Sequence, residues 1–566
     1  MSMGKVPRLI VLLKIAASGT LVAATVGMLW HEKPALDLWG HDRPAWFLTI
    51  AYGWYPAVAD YTRWLSNSGF APALIYLFVS VSCVFALLAA PFIVNRVLRV
   101  VTSAILIVGT AYDLTMYDIG GGLPSSEITE TVLSSIVFGL GGTVQLYAVE
   151  IGRNTALAAM TFVIFCLRPP KIRHPQFAWA PMAVVVMATV GVTGIIWRTG
   201  GHTNEFPPPF TSYYHALNFL TAAGHQPIAK TNYPGVVSRS LTQIILIVDE
   251  SVRADYLSLN NPSIDTTPFL VARRRDIANF GVGVAPANCS REARQALRFG
   301  LRDGDLGQAA NALGRLAPFW EYARQAQLET VHIGTMITPA KPMNELVHGE
   351  GELDDRPIMI EDKPQYIRDE VIADRLRTLM FEPGPKFVFV EKFGIHVPYD
   401  KMYPPGQNIF DADTAMAFDL SDRANLIKHY ENAIRWSVNR FFSAVLKDGL
   451  PPNTLMIYTS DHGQSLSEGR ITSHCNKGVQ ATRGEAEVPL FALSSSDEWT
   501  TQLSRSAALN FDRASDLEIF PTLLAAMGYD RRWISEQFGL TLLDKIPTDR
   551  KRRFWATGSM RVYDSD

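Results

Sequence analysis

The first 198 residues carry apolar runs too long for an ordinary globular core. Leu9–Trp30 is apolar apart from Lys14, Phe70–Val94 has no charge, Val100–Met116 holds one acid, Asp113, and Ala178–Trp197 is again uncharged. Ala156–Leu167 is shorter, and it lengthens toward Ile151 if Arg153 reaches for the interface. The hydrocarbon layer of a bilayer asks for about 20 such residues per helix, so five spans are predicted. Ala45–Ala59 is aromatic and broken by Gly53 and Pro56, and it reads as interfacial. A cleaved leader would account for the first run, with Lys5 and Arg8 ahead of it, but not for four more.

Loop charges give the orientation. Basic segments (Lys5 and Arg8; Arg96 and Arg99; Arg168, Lys171 and Arg173) alternate with acid-rich ones (Glu32, Asp37, Asp42, Asp60; Asp118, Glu127, Glu130, Glu150). Positive loops stay in the cytoplasm, so the N-terminus is expected inside and everything after Arg198 outside. In a bacterium this means a multi-pass protein of the inner membrane with a periplasmic domain. Three regions follow: 1–198 transmembrane, 199–240 linker, and 241–566 extracytoplasmic. In the linker, Phe210, Tyr213, Tyr214, Leu217 and Leu220 share a helical face. That face suits a helix lying on the membrane surface or one packed on the outer domain.

Past residue 241 the texture changes. Ile244–Val248, Phe387–Val390, Leu455–Tyr458 and Val488–Leu493 are short continuous apolar runs, as buried parallel strands should be. Helical stretches such as Arg315–Gln327, Glu370–Phe381 and Arg423–Leu446 lie between them. Alternating strands and helices imply an α/β domain, a mostly parallel sheet between helices. A net charge of −2 gives no reason to expect nucleic acid, and four cysteines are too few for a disulfide scaffold.

Ligands of open α/β sheets bind at the carboxyl ends of strands. Here three strands end in polar residues: Asp249-Glu250-Ser251 after the first, His396 after the second, Asp461-His462-Gly463 after the third. Oxygen and nitrogen donors of this kind suit zinc or a similar divalent ion. Ser290 precedes a helix with apolar Ala293, Ala296, Leu297 and Leu301. A helix cap is the usual task of such a serine. A helix start also attracts anions, so beside Glu250, Asp461 and His462 the hydroxyl reads as a nucleophile toward phosphorus in preference to a cap. Arg291, Arg294 and Arg298 line one face and read as a solvated stripe, as does the Arg550–Arg553 cluster. Tyr399 and Tyr403 read as packing. Ser126 and Glu130 are weaker candidates on the outer side of the third span.

The blocks "IILIVDESVRADYLSL" (244–259), "FGIHVPYDKMYP" (393–404) and "IYTSDHGQSLSEGRITSH" (457–474) resemble signatures of the membrane-bound phosphoethanolamine transferases, in the alkaline phosphatase/sulfatase superfamily. The resemblance implies one zinc, or two, held by Glu250, Ser290, Asp461 and His462. It implies Ser290 as nucleophile and His396 and His474 as flanking acid–base groups. It also implies a phosphatidylethanolamine donor, a lipid A, core-sugar or other envelope-glycan acceptor, and a monomer in the membrane. Where lipid A enzymes of this family carry threonine and several disulfides, this chain has Ser290 and, beyond residue 198, only Cys289 and Cys475. Whether those two pair is left open. "Ser290-Arg-Glu-Ala-Arg294" also resembles the sulfatase pattern Cys/Ser-x-Pro-x-Arg. A phosphoglycerol transferase, a membrane-anchored sulfatase or phosphodiesterase, and a sensor or assembly protein with a retired enzyme domain are the other readings.

Overall fold

A computed structural model describes residues 10–18, 70–120, 124, 129, 132–133, 147–167, 178–199, 206–207, 209–222, 234–306, 315–334, 356–360, 363–414, 422–468, 473–476, 481–556 and 559–564. The chain divides into two compact units, 1–223 and 224–566.

The first unit is helical. Among the described residues three helices are long and apolar enough to cross a membrane: Leu74–Phe92, Arg96–Ile119 and Ala148–Cys166. Ala180–Ile195 is a shorter apolar helix. Most of Leu9–Trp30, and all of Ala45–Ala59, Ser126 and Glu130, lie outside the described residues. Lys14, the one charge in the first run, is fully buried and donates to the carbonyls of Pro91 (2.6 Å), Phe165 (3.2 Å) and Leu167 (2.6 Å). Those carbonyls end helical segments and have no partner further along the helix, so a cation there is stabilising.

The linker helix, Phe210–Ala222, belongs to this unit. Among its described side chains Phe210, Ser212 and His215 are buried, while Leu217 is exposed. Ser212 donates to Asp113, and the Tyr213 hydroxyl donates to the Ile105 carbonyl. Both partners lie on the Arg96–Gly120 helix. The predicted aromatic face is therefore only partly the packed one. An intramembrane carboxyl without a partner is costly, and it draws the polar Ser212 inward.

The second unit is built on a seven-stranded sheet. Its strands are β1 (Gln243–Asp249), β2 (Ala278–Val284), β3 (Glu329–Gly334), β4 (Arg356–Met359), β5 (Lys386–Glu391), β6 (Thr454–Ser460) and β7 (Glu487–Ser494), in the order β2-β7-β6-β1-β5-β3-β4. All pairings are parallel except those of β7 with β2 and β6. A separate hairpin joins β8 (Arg553–Ala556) to β9 (Ser559–Val562).

β1 is buried along its whole length, because it lies mid-sheet with helices on both faces. Ile245 and Ile247 face one core with the Gln365–Met380 and Arg423–Ile434 helices. Ile244, Leu246 and Val248 face the other, with the Phe319–Gln325, Asp497–Asn510 and Ile519–Ala526 helices. Two-residue alternation turns one continuous apolar run into two cores.

Register then decides the site. Val248 lies beside Glu391 of β5 and Thr459 of β6, and Asp249 lies beside Ser460. Three neighbouring strands thus stop at one level. The first polar residues past them meet.

Candidate active site

Glu250 leaves β1, Asp461 and His462 leave β6, and His396 sits five residues past the end of β5. Glu250, Asp461 and His462 are completely buried. Potential ligand atoms of Glu250, Asp461 and His462 lie within 4.8 Å of one another, as do those of Glu250, His396 and His474. These five residues, all singled out in the sequence, converge on one place, with Glu250 common to both groups.

Ser290 is the first residue of the Ser290–Phe299 helix, and Cys289, not Ser290, takes the cap position. The serine makes no capping bond. Its Oγ lies 3.0 Å from His462 Nε2 and 3.3 Å from Glu250 Oε2. The hydroxyl faces the cluster instead of serving the helix.

The backbone assigns the imidazole hydrogens. His462 Nδ1 is 2.7 Å from the Gly463 carbonyl, and His396 Nδ1 is 2.7 Å from the Val397 carbonyl. A carbonyl only accepts, so each Nδ1 carries the hydrogen and each Nε2 keeps a lone pair. His474 lies against both rings, at centroid distances of 4.4 Å from His462 and 5.9 Å from His396. Burial beside these two imidazoles pushes its pKa well below 6.5, so it is neutral. Burial alone would raise Glu250. Positive charge around it, from His462 when its imidazole is protonated and from the Arg294 guanidinium, outweighs that and holds the carboxyl below the usual carboxylate range.

Arg294 and Arg298 overturn the solvated stripe. Each is 1% exposed. Arg294 Nη2 is 2.6 Å from Glu250 Oε2 and 3.0 Å from Asp461 Oδ2, and its Nη1 is 3.9 Å from Glu391. Two ionisable carboxyls at strand ends draw a cation in, and one helical turn puts Arg294 within reach once Ser290 is at the site. The Arg550–Arg553 cluster is also only partly solvated: Arg550 pairs with Glu518 at 2.7 Å and Arg552 with Asp564 at 2.8 Å. Tyr399 and Tyr403 are core residues, as read from the sequence.

Around the cluster lies a shell that the motif reading missed. His332 Nε2 contacts Glu391 at 2.9 Å. Lys392 pairs with Asp249 and lies 3.6 Å from Asp369, which accepts from the Phe393 (2.8 Å) and Gly394 (3.2 Å) amides. Charges placed directly after an apolar strand, as in Glu391-Lys392, were the available signal. Arg253 joins the first and third sequence blocks: it pairs with Asp255 at 2.7 Å and Glu468 at 2.7 Å.

Cys289 and Cys475 form a disulfide with their Cα atoms 4.9 Å apart. Each neighbours a site residue, Ser290 or His474. Glu485 ties the same segments, accepting from Asn288 Nδ2 (2.7 Å), the Asn476 amide (3.1 Å) and Asn476 Nδ2 (2.9 Å).

With a sheet carrying its site at the strand ends, the comparison with known families is decisive: the sulfatase family model matches residues 242–529. The chain belongs to the sulfatase family. Within that family it is 24% identical over 349 residues to the phosphoethanolamine transferase EptC of Escherichia coli, a match spanning 58% of each chain. It is 21% identical over 528 residues to the Kdo(2)-lipid A phosphoethanolamine 7''-transferase of Escherichia coli, covering 83% of this chain and 89% of the relative. The integral membrane lipooligosaccharide phosphoethanolamine transferase A (EptA) of Neisseria meningitidis shares its fold. That likeness has a TM-score of 0.61 and 17% identity, over 87% of this chain and 98% of that one. The shared fold therefore extends over the apolar helices as well as the α/β domain.

Proposed function

We propose that the chain is a metal-dependent phosphoethanolamine transferase of the bacterial inner membrane, with residues 1–198 as a multi-pass anchor and 241–566 in the periplasm. It takes phosphoethanolamine from phosphatidylethanolamine and passes it to a lipid A, core-sugar or other envelope-glycan hydroxyl. The names of the relatives, EptC and the lipid A transferase, support this reading. The observation that carries it is the Ser290 hydroxyl, aimed into a buried carboxylate–imidazole cluster from the start of a helix.

The residues fit a divalent ion. Asp461 Oδ2 is buried with no aligned hydrogen bond, only the Arg294 charge beside it at 3.0 Å, and Nε2 of His462 keeps its lone pair. Glu250, Asp461, His462 and Ser290 would hold zinc. Such an ion polarises a phosphoryl oxygen and lowers the pKa of a bound hydroxyl.

The chain's own groups do the rest. The N-terminal end of the Ser290–Phe299 helix, positive through the helix dipole, attracts the donor phosphate. Ser290 Oγ bonds to phosphorus as the bond from phosphorus to the diacylglycerol oxygen breaks. The Ser290 hydrogen passes to the Nε2 lone pair of His396 or His474, which hands it on to the departing diacylglycerol oxygen. In the second half the acceptor hydroxyl loses its hydrogen to one of these histidines and displaces Ser290. One phosphoester is exchanged for another, with no water consumed.

The "Ser290-Arg-Glu-Ala-Arg294" pattern and the family match favour a hydrolytic sulfatase or phosphodiesterase as the second reading. Mass spectrometry of envelope lipids and glycans from cells with and without the protein separates the two. A gain of one phosphoethanolamine on an acceptor is expected. Free hydrolysis products with unmodified envelope would establish the hydrolase.

A further inference from the structure

Gln464, two residues past His462, belongs to no role assigned so far, yet it is completely buried. Its backbone is fixed from several sides. Arg253 Nη1 donates to the Gln464 carbonyl at 3.2 Å, and the Gly463 amide donates to the Glu485 carbonyl at 2.9 Å. A Cβ on Gly463 would fall 2.0 Å from the Gly484 oxygen, so the chain has no room to move there. From this fixed point the side chain reaches His474: Oε1 lies 3.3 Å from Nδ1. The Ser473 hydroxyl is also near that nitrogen, at 3.0 Å, and the Ser465 amide donates to the Ser473 carbonyl at 2.5 Å.

We infer that Gln464 is the positioning residue of His474. A hydroxyl can donate or accept, so Ser473 leaves the imidazole undecided. An amide oxygen only accepts. Gln464 therefore puts the hydrogen on Nδ1 and leaves the Nε2 lone pair for the reacting groups, as the Val397 carbonyl does for His396. The other half of the amide carries the second observation. Gln464 Nε2 is buried and makes no hydrogen bond. A glutamine buried to hold the fold together would have both ends paired. Here only the end that meets the histidine is paired, so the residue serves the site.

The step that His474 carries out rests on the transferase reading. The placement of its hydrogen does not, and the experiment uses that difference. Full-length wild type, Gln464→Leu and Gln464→Glu are purified in detergent. Turnover with phosphatidylethanolamine, bound zinc, melting midpoint and the ¹⁵N imidazole spectrum of His474 are then measured. Gln464→Leu should lower kcat by about 10–100-fold, the usual effect of removing the partner of an active-site histidine. KM for the donor, zinc and melting should stay at the wild-type values, while the Nδ1–H form of His474 gives way to mixed tautomers. Gln464→Glu keeps an acceptor in the same place and should restore both turnover and the Nδ1–H form. A leucine variant with an unchanged His474 spectrum, or a glutamate variant as impaired as the leucine one, overturns the inference. A wild type inactive on phosphatidylethanolamine sinks the transferase reading, and the His474 spectrum still decides the role of Gln464.

Discussion

Replacing Arg294 with leucine tests how the buried charges of the site are balanced. Glu250 and Asp461 are fully buried, and Arg294 is the cation in contact with both, at 2.6 and 3.0 Å. Leucine fills much of the space and leaves the carboxylates unopposed. Stranding the partner of a buried ion pair typically costs about 3–5 kcal/mol. For a domain larger than 250 residues each kcal/mol moves the melting midpoint by about 2 °C, so a fall of roughly 6–10 °C is expected in chelator. Zinc should shrink the gap, because a dication on Glu250 and Asp461 replaces the lost charge. The assay is differential scanning fluorimetry of full-length protein in detergent, in EDTA and in excess zinc. A variant that melts with wild type in EDTA would refute the charge balance. One whose deficit is the same in zinc would place the ion elsewhere.

Three more outcomes are expected. Incubated with phosphatidylethanolamine and no acceptor, the protein should carry phosphoethanolamine on Ser290 and release diacylglycerol; Ser290→Ala and chelation should each abolish the adduct in intact-mass spectra, while Ser290→Thr keeps part of it. Gly394 has φ +62°, and a Cβ there would lie 2.5 Å from Asp249 Oδ1 and from the Glu250 oxygen. Gly394→Ala should therefore displace the segment leading to His396 and lower kcat by at least tenfold, measured against zinc content that stays unchanged. The double variant Cys289→Ser/Cys475→Ser should lose about 2–5 kcal/mol, read as a lower midpoint in urea, because the bond closes a long loop. Equal midpoints would show that the Glu485 contacts alone hold the two segments.

The sheet was legible because continuous apolar runs bounded by polar ends admit little else. β1, β5, β6 and β7 fall within a residue or two of the predicted strands. Glu250, Asp461 and His462, the candidate ligands, were legible because they follow β1 and β6 directly. Arg294 was not. A helix heptad with arginines at three- and four-residue spacing reads as solvated, and only tertiary placement of Ser290 turns that face inward. The Lys392–Asp249–Asp369 group was equally hidden, since its members lie far apart in the chain. β2, β3 and β4 carry glycine, histidine or proline and lack the apolar continuity of the central strands. In the first unit, composition defined the apolar helices, but the inward turn of Ser212 depends on Asp113, a partner that no local pattern specifies.

The strand order also dictates when this protein can become whole. Gln243 at the start of β1 pairs with Lys386 and Thr454, and with nothing nearer in the chain. The central strand is therefore synthesised long before either neighbour exists. Contacts of such separation form slowly, since closing each large loop costs entropy before any pairing offsets it. Until β6 arrives, one side of "IILIV" is an open apolar edge, the kind of surface that recruits other chains. A chain stalled short of residue 460 would be sticky as well as inactive, so the half-made protein is a natural client for chaperones and proteases.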